Sequence, residues 1–551
     1  MKKIFNYTFT LCILILFFSC SSQKNKNSYD GLVISQEQRA SWSRNFNPLT
    51  PGGMARFPTT AGVYEPLMIY NSIKGKYIPW LAINHSWNKL NDTLTLNLRD
   101  SVKWSDGTKF SSRDVWFTFK LLKDNPALDA RAIWSYLDDV VIVDEFLIKI
   151  IFSSIYVPGL DAIAGQTIVP EHIWSNVEDP VKFTNPNPIG TGPFTEVIKF
   201  QNQVFELGKN PNYWQKGKPK VKKLVFPAFP TNTQATYALT NGEVDWAGSF
   251  IPDIDQVYVN KDPQNHHYWF PSTGVSIFLY PNHKNKYLKE IEFRKALSHA
   301  IDRDQIVNIA MNNYTVPSDI TALSETMNHW KSNISEFEDW TKYDIQLAKE
   351  KLLKLGYQED EESNLLVDKH GDNIPFEIIV VSGWSDWLRA AQIISRNLLE
   401  LGIDANVRTY DFGAWFDRLR TGQFDLAIAW AEKGNTPYNL YRGLMASEYV
   451  KPIGEPADLN WHRYGNIEVD DLCKKFIKTS DEKEIKDIIF NMQKLFIQNL
   501  PAIPLFAEPN WGEYNSSRFT NFPNKDNPYA ALSPNNVPEA LLVMVQLEPV
   551  K

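Results

Sequence analysis

Alternation of apolar and polar residues predicts the first regular element beyond the N-terminal region. Leu94, Leu96 and Leu98 recur at every second position, which is the pattern of a strand with one buried face. Ser111 to Asp114 then predicts the N-cap and first turn of a helix with apolar residues at helical spacing behind it. A second strand is predicted over Glu145 to Phe152. This part of the chain is therefore predicted to be an α+β unit.

Between Ile374 and Ala431 the pattern changes to short apolar runs separated by amphipathic stretches. The order is strand, helix, strand, helix, strand, predicted over Phe376 to Val381, the helix after Ser382-Gly383, Ile403 to Thr409, Trp415 to Leu419 and Phe424 to Trp430. This order predicts a parallel βαβαβ unit, in which ligands sit beyond the carboxyl ends of the strands. Trp384 and Trp430 lie at or just past two of those ends, so we expect both to face the same edge of the sheet.

The N-terminus has the composition of a secretory leader. Lys2 and Lys3 precede an apolar run from Leu11 to Phe18, which ends at Ser19-Cys20. The run is too short to span a bilayer. Ser19-Cys20 resembles the bacterial lipoprotein box, which implies a leader over 1–19, lipidation of Cys20 and a flexible tether over 20–28. Simple secretion and a single membrane anchor stay open as alternatives, and each places the rest of the chain outside the cytoplasm.

Composition indicates a globular protein with a large core and argues against a nucleic-acid or lipid binder. The net charge is −7 over 551 residues, which argues against nucleic acid or anionic lipid as the main partner. Without Cys12 and Cys20, only Cys473 remains, so no internal disulfide is expected. The hydrophobic fraction is 43%, and the chain contains 18 Trp, 23 Tyr and 32 Phe. A core of two or three domains is therefore predicted, with part of the aromatic excess available to line a cleft.

Catalytic and cofactor motifs are missing from the sequence. Gly190 and Gly192 lie in a Gly/Pro-rich stretch, but the third glycine of a phosphate loop is replaced by Thr195, so a structural crossing is favoured. No G-x-S-x-G or H-E-x-x-H occurs, and the nine His show no metal-ligand spacing. We expect no cofactor, no metal and no enzymatic activity. A secreted glycoside hydrolase stays an alternative from another class, because its two carboxylates would come from distant segments.

Five stretches, in order, resemble the large extracytoplasmic solute-binding proteins of oligopeptide-type ABC transporters, known as family 5. They are NLRDSVKWSDGTKFSSRDVWFTFKLL, NPIGTGPF, FRKALSHAIDRDQIV, LLELGIDANVRTYDFGAWFDRLRTGQFDLAIAW and LPAIPLF. The resemblance covers the chain from about Phe46 to its end. It implies a lipoprotein that delivers a small oligomeric ligand to ABC permease subunits and touches the membrane only through its lipid. A monomer is expected, and a non-transporting sensor on the same fold stays open.

The family's fold is α/β, with two lobes of the periplasmic-binding-protein type closing on ligand (type II, large three-domain variant). The resemblance implies that lobe I is built from three stretches of sequence and carries an additional α+β domain. The implied division is lobe I over 29–62, 189–276 and 506–551, the additional domain over 63–188, and lobe II over 277–505.

The family binds peptides, nickel or β-linked oligosaccharides, and one position bears on this choice. In peptide binders an Asp shortly after the third strand's Trp holds the α-amine, and the aligned residue here is Lys433, a cation that would repel an ammonium group. Glu432 would replace that Asp only with a shift of one residue. The sequence TPYNLYRGL, followed by Asn460 to Tyr464, looks like that of the family members that bind oligosaccharides. Sugar rings stack on Trp side chains. The sequence therefore favours a β-linked oligosaccharide, with an oligopeptide as the alternative.

The predicted ligand-binding residues come from the ends of the predicted strands and from the family's cleft segments. Trp387 is also a candidate for the core, because it lies on an apolar helical face. For Trp511 and Tyr514, cleft and core are equally open. The candidates are Asn47, Trp384, Trp387, Trp430, Glu432, Asn435, Trp511 and Tyr514.

Overall fold

The computed structural model describes residues 30–36, 38–50, 62–129 and 131–551. The predicted leader, the lipidation site Cys20 and the predicted tether lie outside the described residues. Among the described residues, no helix combines the length and apolar character needed to cross a membrane.

Strands and short helices alternate along most of the chain. The strands are β1 (Leu32–Ser35), β2 (Met68–Asn71), β3 (Lys76–Pro79), β4 (Ala82–Trp87), β5 (Thr93–Leu98), β6 (Leu137–Asp144), β7 (Leu147–Phe152), β8 (Phe194–Gln201), β9 (Val204–Lys209), β10 (Lys223–Pro227), β11 (Trp246–Ala247), β12 (His266–Tyr268), β13 (Ser272–Pro281), β14 (Gln358–Glu359), β15 (Leu366–Val367), β16 (Phe376–Val381), β17 (Ala405–Tyr410), β18 (Leu426–Ala429), β19 (Ile503–Pro509), β20 (Glu513–Asn515), β21 (Phe519–Thr520) and β22 (Glu548–Pro549). The helices are α1 (Ser112–Asp124), α2 (Gly159–Ala164), α3 (Glu171–Trp174), α4 (Asn232–Thr240), α5 (Ile254–Val257), α6 (Ile291–Ala300), α7 (Arg303–Gln305), α8 (Ile345–Lys354), α9 (Ser385–Glu400), α10 (Phe412–Thr421), α11 (Tyr438–Met445), α12 (Ile467–Phe476), α13 (Glu482–Asn499) and α14 (Ala540–Met544).

Three sheets organise the molecule. The first has the order β12-β20-β11-β1-β10-β9-β8, so strands from three distant stretches of sequence lie side by side. The second has the order β17-β16-β18-β13-β19, and the third has the order β4-β5-β7-β6. Two large sheets with helices on their faces give the α/β two-lobed architecture. We call the body around the first sheet lobe I and that around the second lobe II; the exact domain boundaries given above stay a prediction.

The third sheet shares its hydrophobic core with lobe I. One continuous cluster of buried side chains includes Leu32 of β1, Leu96 of β5 and Phe119 of α1. The predicted alternation is confirmed, since Leu94, Leu96 and Leu98 are 0%, 1% and 3% exposed. The additional α+β unit is therefore packed directly on lobe I.

The predicted βαβαβ unit of lobe II is confirmed. Strand β16 pairs in parallel with β17 on one side and with β18 on the other. Helix α10 begins at Phe412, earlier than predicted, because the Asp411 side chain accepts hydrogen bonds from the backbone N–H groups of Gly413 and Ala414. All three carboxyl ends point toward one edge of the sheet.

Two antiparallel crossings join the lobes. The chain passes from β12 to β13 and returns from β19 to β20, and the two crossings run side by side. Backbone N–H groups donate from Trp269 to the Gly512 carbonyl at 2.9 Å and from Asn510 to the Pro271 carbonyl at 2.9 Å. This double connection forms the hinge between the lobes.

Candidate ligand-binding cleft

An aromatic cluster lies at the carboxyl ends of the lobe II strands. Trp430 is half-buried at its centre, and the neighbouring ring centroids lie 5.4 to 6.4 Å away. These neighbours are Trp384, Trp387, Phe412, Trp415, Phe416 and Trp461. We call the seven rings the aromatic platform.

The local fold explains why the rings meet. Trp384 is the N-cap of α9, immediately after the turn that ends β16, and Trp430 follows β18 directly. Helix α10 packs between these strand ends and supplies Phe412 and Phe416, whose rings stack near-parallel to Trp430 at 6.4 and 6.1 Å. The expectation that Trp384 and Trp430 share one edge is confirmed by their ring separation of 6.3 Å.

Lobe I presents a polar edge opposite this platform. Several of its buried side chains there carry an oxygen or nitrogen that has no hydrogen-bond partner among the described residues. They are Ser35, Gln36, Gln38, Asn232, Ser249, Glu513 and Asn535. Ser35 and Gln36 lie at the carboxyl end of β1, and Ser249 follows β11. Because an unpaired buried polar group costs about 1 to 3 kcal/mol, such a concentration at one edge is typical of a binding site.

Glu513 is the deepest member of this polar edge. Register places Ser35 beside Ala247, and Ala247 beside Glu513, so the three side chains share one face of the sheet. The backbone N–H of Ser249 donates to Glu513 Oε2 at 3.2 Å, while Oε1 has no described partner. Burial raises the pKa of the Glu513 carboxyl well above its usual range. The neutral acid can both donate and accept a hydrogen bond, as recognition of a hydroxyl group requires.

The two lobes touch at one side of the cleft. The backbone N–H of Asn232 donates to the Gly383 carbonyl at 3.1 Å, and its side-chain amide donates to Ser385 Oγ at 3.3 Å. The Arg39 guanidinium of lobe I lies 5.8 Å from the ring centroid of Phe412. The structure therefore has the lobes closed, with the polar edge and the aromatic platform facing each other.

Lys433 is not an isolated cation. Its Nζ lies 2.8 Å from Glu508 Oε1, and the other oxygen of Glu508 accepts from Thr273 Oγ1 at 3.0 Å. The repulsion expected between Lys433 and a ligand ammonium group is therefore weakened, because the ion pair is close to neutral as a whole. Position 433 still supplies no carboxylate for an amine.

Glu432 is half-buried in lobe II beside one ring of the platform, Trp461. It lines a small pocket with Tyr280, Gly443, Asn460 and Trp461. Its Oε2 has no hydrogen-bond partner in the described part of the chain, and burial raises the pKa of the carboxyl to about 7. The Tyr280 hydroxyl donates to the Trp430 carbonyl at 2.9 Å and holds that backbone in place. Contact between Glu432 and ligand stays a prediction.

The remaining predicted residues lie in different surroundings, and none of their ligand contacts is tested. The Asn47 side chain is buried, and its amide donates to the carbonyls of Pro180 and Phe183. Asn435 is exposed and lies 3.4 Å from Asp161 of the additional unit. Trp387 is 6% exposed within the platform.

Trp511 and Tyr514 leave the hinge in different directions. The Trp511 ring packs with Phe250 and Phe270 of lobe I and with Tyr314 of lobe II, beside the hinge. Tyr514 points to the opposite face of its sheet from Glu513 and lines a separate surface pocket of about 220 Å³.

The predicted ligand-binding residues include no member of the polar edge and three rings of the platform, Trp384, Trp387 and Trp430. The family resemblance could have pointed to three further rings, because they lie within segments that resemble the family: Phe412, Phe416 and Trp461. Ser35, Ser249 and Glu513 carried no signal, because nothing in their local sequence separates them from ordinary polar residues. Within the described residues, no group of three or more His, Cys, Asp or Glu side chains is placed to hold a metal ion.

Comparison with known proteins identifies the family. Residues 76–450 match the model of the bacterial extracellular solute-binding proteins, family 5. This chain belongs to that family. Its members bind solutes and do not convert them, so the chain is an extracytoplasmic solute-binding protein that works with an ABC transporter. The secreted glycoside hydrolase that the sequence left open is thereby excluded.

Relatives in the family differ in what they bind. The nickel-binding periplasmic protein of Escherichia coli is 24% identical over 71% of this chain and 74% of its own length. The oligopeptide-binding protein AppA of Bacillus subtilis is 23% identical over 71% of this chain and 70% of its own length.

A solved structure superposes over almost the whole chain. It is the mannohexaose-bound periplasmic oligopeptide-binding protein of an ABC transporter from Thermotoga maritima. It is 26% identical, covers 94% of this chain and 99% of its own, and has a TM-score of 0.86.

Proposed function

We propose that this solute-binding protein captures a neutral, β-linked oligosaccharide between the aromatic platform and the polar edge. The observation that carries the proposal is this pairing of surfaces. Sugar rings offer flat apolar faces that stack on aromatic side chains, and their hydroxyl groups pair with neutral donors and acceptors. The Thermotoga maritima relative was crystallised with mannohexaose, which supports the same ligand class.

An oligopeptide is the second candidate, and the named relatives support it equally. AppA of Bacillus subtilis is named for oligopeptide binding. A peptide would bring an α-ammonium group into the cleft. Among the described residues, the acidic groups available to it include Glu508, which already pairs with Lys433, the half-buried Glu432 and the buried Glu513. A buried charge without a full partner costs several kcal/mol, so this arrangement favours the uncharged ligand.

Calorimetry distinguishes the two ligand classes. We expect manno-, cello- or xylo-oligosaccharides of four to six units to bind with an affinity that changes little between low and high salt. Tri- to pentapeptides are the matched alternative ligands. Tight peptide binding with no response to any of the sugars would reverse the assignment. Mass spectrometry of the small molecule that co-purifies with the protein gives an independent answer.

The proposed setting is a monomeric lipoprotein anchored through Cys20 and facing the periplasm or cell exterior, delivering its ligand to permease subunits. With Cys20→Ala, and after removal of the leader, we expect the protein to leave the membrane fraction. Retention of the processed variant on membranes would place the anchor elsewhere.

A further inference from the structure

One edge of lobe I carries an unusual concentration of lysine. Between the end of β9 and the start of β10, residues 209–223 contain six lysines and no Asp or Glu. We call these side chains the lysine edge: Lys209, Lys216, Lys218, Lys220, Lys222 and Lys223. The chain as a whole carries −7, so this segment departs strongly from the average charge.

The lysine edge lies where the chain enters the folded body. Strands β1 and β10 are parallel, with Leu32 beside Leu224, so both begin at the same edge of the sheet. Asp30 is the first described residue, and its Oδ1 lies 3.8 Å from the Nζ of Lys222. The cleft residues Ser35 and Gln36 are at the other end of β1. The predicted tether therefore emerges beside the lysines and on the side of the sheet opposite the cleft.

Acidic neighbours compensate only part of this charge. Lys223 pairs with Glu206 at 2.8 Å, and Lys220 pairs with Glu548. Within the described ranges, Lys209, Lys216 and Lys218 form no close ion pair; the Lys218 ammonium donates to the Gln546 amide oxygen at 2.7 Å and shares the more distant charge of Glu548 with Lys220. Burial lowers the pKa of Lys209, and the nearby charge of Lys222 adds a smaller effect in the same direction.

We propose that the lysine edge docks on an anionic lipid surface and orients the tethered protein with its cleft away from the bilayer. We assign the anionic surface to lipid because the predicted tether would hold the lysine edge close to a bilayer. This step rests on the proposed lipidation of Cys20. Nine residues lie between Cys20 and Asp30, and a flexible chain of that length has an end-to-end distance of about 17 Å. The Debye length at physiological salt is about 8 Å, which is shorter than this distance, but the flexible chain allows the lysines to approach the headgroups to within it.

The test uses the unlipidated chain from Ser21 onward, which contains every described residue, so that adsorption reports the surface alone. Partition is measured by co-sedimentation with vesicles of phosphatidylglycerol and phosphatidylcholine, and with vesicles of phosphatidylcholine only. The test variant is Lys216→Gln/Lys218→Gln/Lys222→Gln. The matched control is Lys483→Gln/Lys486→Gln/Lys494→Gln, three exposed lysines on α13 of lobe II.

We expect the parent chain to bind the anionic vesicles at low salt and to be released as salt rises. Each lysine near an anionic surface strengthens adsorption by about fivefold, so the test variant should lose at least tenfold while the control keeps its partition. Equal partition of the test variant and its parent, or equal binding to both kinds of vesicle, would overturn the proposal. Thermal unfolding of both variants confirms that they are folded. Because no lipid is attached in this assay, failure here is distinguishable from failure of Cys20 lipidation.

Discussion

Trp430 is the residue on which the aromatic platform depends. Six rings surround it, yet it remains half-buried, so part of its surface is available on the cleft side. Trp415 of the same cluster is fully buried and holds the platform together. We therefore predict that ligand contacts the partly exposed rings, among them Trp430 and Trp384, rather than the fully buried ones.

Trp430→Ala is expected to weaken oligosaccharide binding by tenfold or more. An aromatic contact of this kind contributes roughly 1 to 2 kcal/mol, and its loss depends little on salt. Calorimetry at two salt concentrations measures the effect. Trp116→Ala is the matched control, because Trp116 is also half-buried but lies on α1 of the additional unit. Unchanged affinity in Trp430→Ala would remove this ring from the binding site.

Glu65 illustrates how a single buried carboxyl makes stability depend on pH. It accepts hydrogen bonds from Trp80 Nε1 at 2.7 Å, from the Tyr213 hydroxyl at 3.1 Å and from Trp214 Nε1 at 3.1 Å. Burial outweighs these bonds and raises the pKa from 4.5 to about 7. Because the folded-state pKa is the higher one, this contribution to stability is complete below pH 4.5 and is lost as pH rises to about 7.

Replacing this group by Glu65→Gln should flatten that dependence. Over the window from pH 4.5 to 7, the full shift corresponds to about 3 kcal/mol, an upper limit for one group. Denaturant unfolding at several pH values measures the slope. The absolute stability of the variant will also reflect changed hydrogen bonds, so the slope is the readout. A slope identical to that of the parent chain would mean that Glu65 does not titrate in this range.

At the scale of elements, the crossing at Gly190 and Gly192 is explained by close packing of backbones. The Gly192 N–H donates to the Val63 carbonyl at 2.9 Å, and a Cβ at Gly192 would lie 2.3 Å from the Gly62 carbonyl oxygen. At Gly190 a Cβ would lie 1.9 Å from the Val63 oxygen. The glycines are thus required by contact between two chain segments, and the structural interpretation of this stretch is favoured over a phosphate loop.

Gly192→Ala is expected to lower the free energy of unfolding by about 2 kcal/mol or more, since neither backbone can move away easily. Gly413→Ala is the control, because Gly413 is exposed in the first turn of α10 and alanine favours a helix. Chemical denaturation compares the two variants. If Gly192→Ala is as stable as Gly413→Ala, the close approach is not what selects glycine there.

Elements with a strong hydrophobic period were predictable, and those without one were not. Strand β16 has the predicted bounds, and α1 begins with the predicted cap, in which Ser111 and Asp114 exchange hydrogen bonds with each other's backbone. Strand β6 was missed, because it is an edge strand with exposed Val141 to Val143 and lacks a clear alternation. The polar edge of the cleft was missed for a different reason: β1, β11 and β20 bring Ser35, Ser249 and Glu513 together from distant sequence positions.

At the scale of the whole molecule, contacts on both sides of the cleft hold the lobes closed. On one side Asn232 pairs with Gly383, as described above. On the other, the additional unit reaches lobe II: the Arg442 guanidinium donates to the Tyr136 hydroxyl at 2.6 Å, and the Val157 N–H donates to the Ile477 carbonyl at 2.9 Å. The double crossing at the hinge allows these contacts to form and break together. Ligand binding is therefore expected to reduce the radius of gyration, with the closed value matching this structure.

Gly383→Ala should prevent that closure without disturbing either lobe. A Cβ at Gly383 would lie 2.5 Å from the Pro230 carbonyl oxygen of the other lobe, so the contact with Asn232 cannot form at its present distance. We expect the variant to bind ligand at least tenfold more weakly, and its radius of gyration, measured by small-angle scattering, to stay at the open value when ligand is added. Gly413→Ala, whose side chain would touch no part of lobe I, should close normally. If Gly383→Ala contracts on ligand addition as the parent chain does, closure does not depend on this contact, and the contacts through Arg442 and Val157 would then hold the cleft shut on their own.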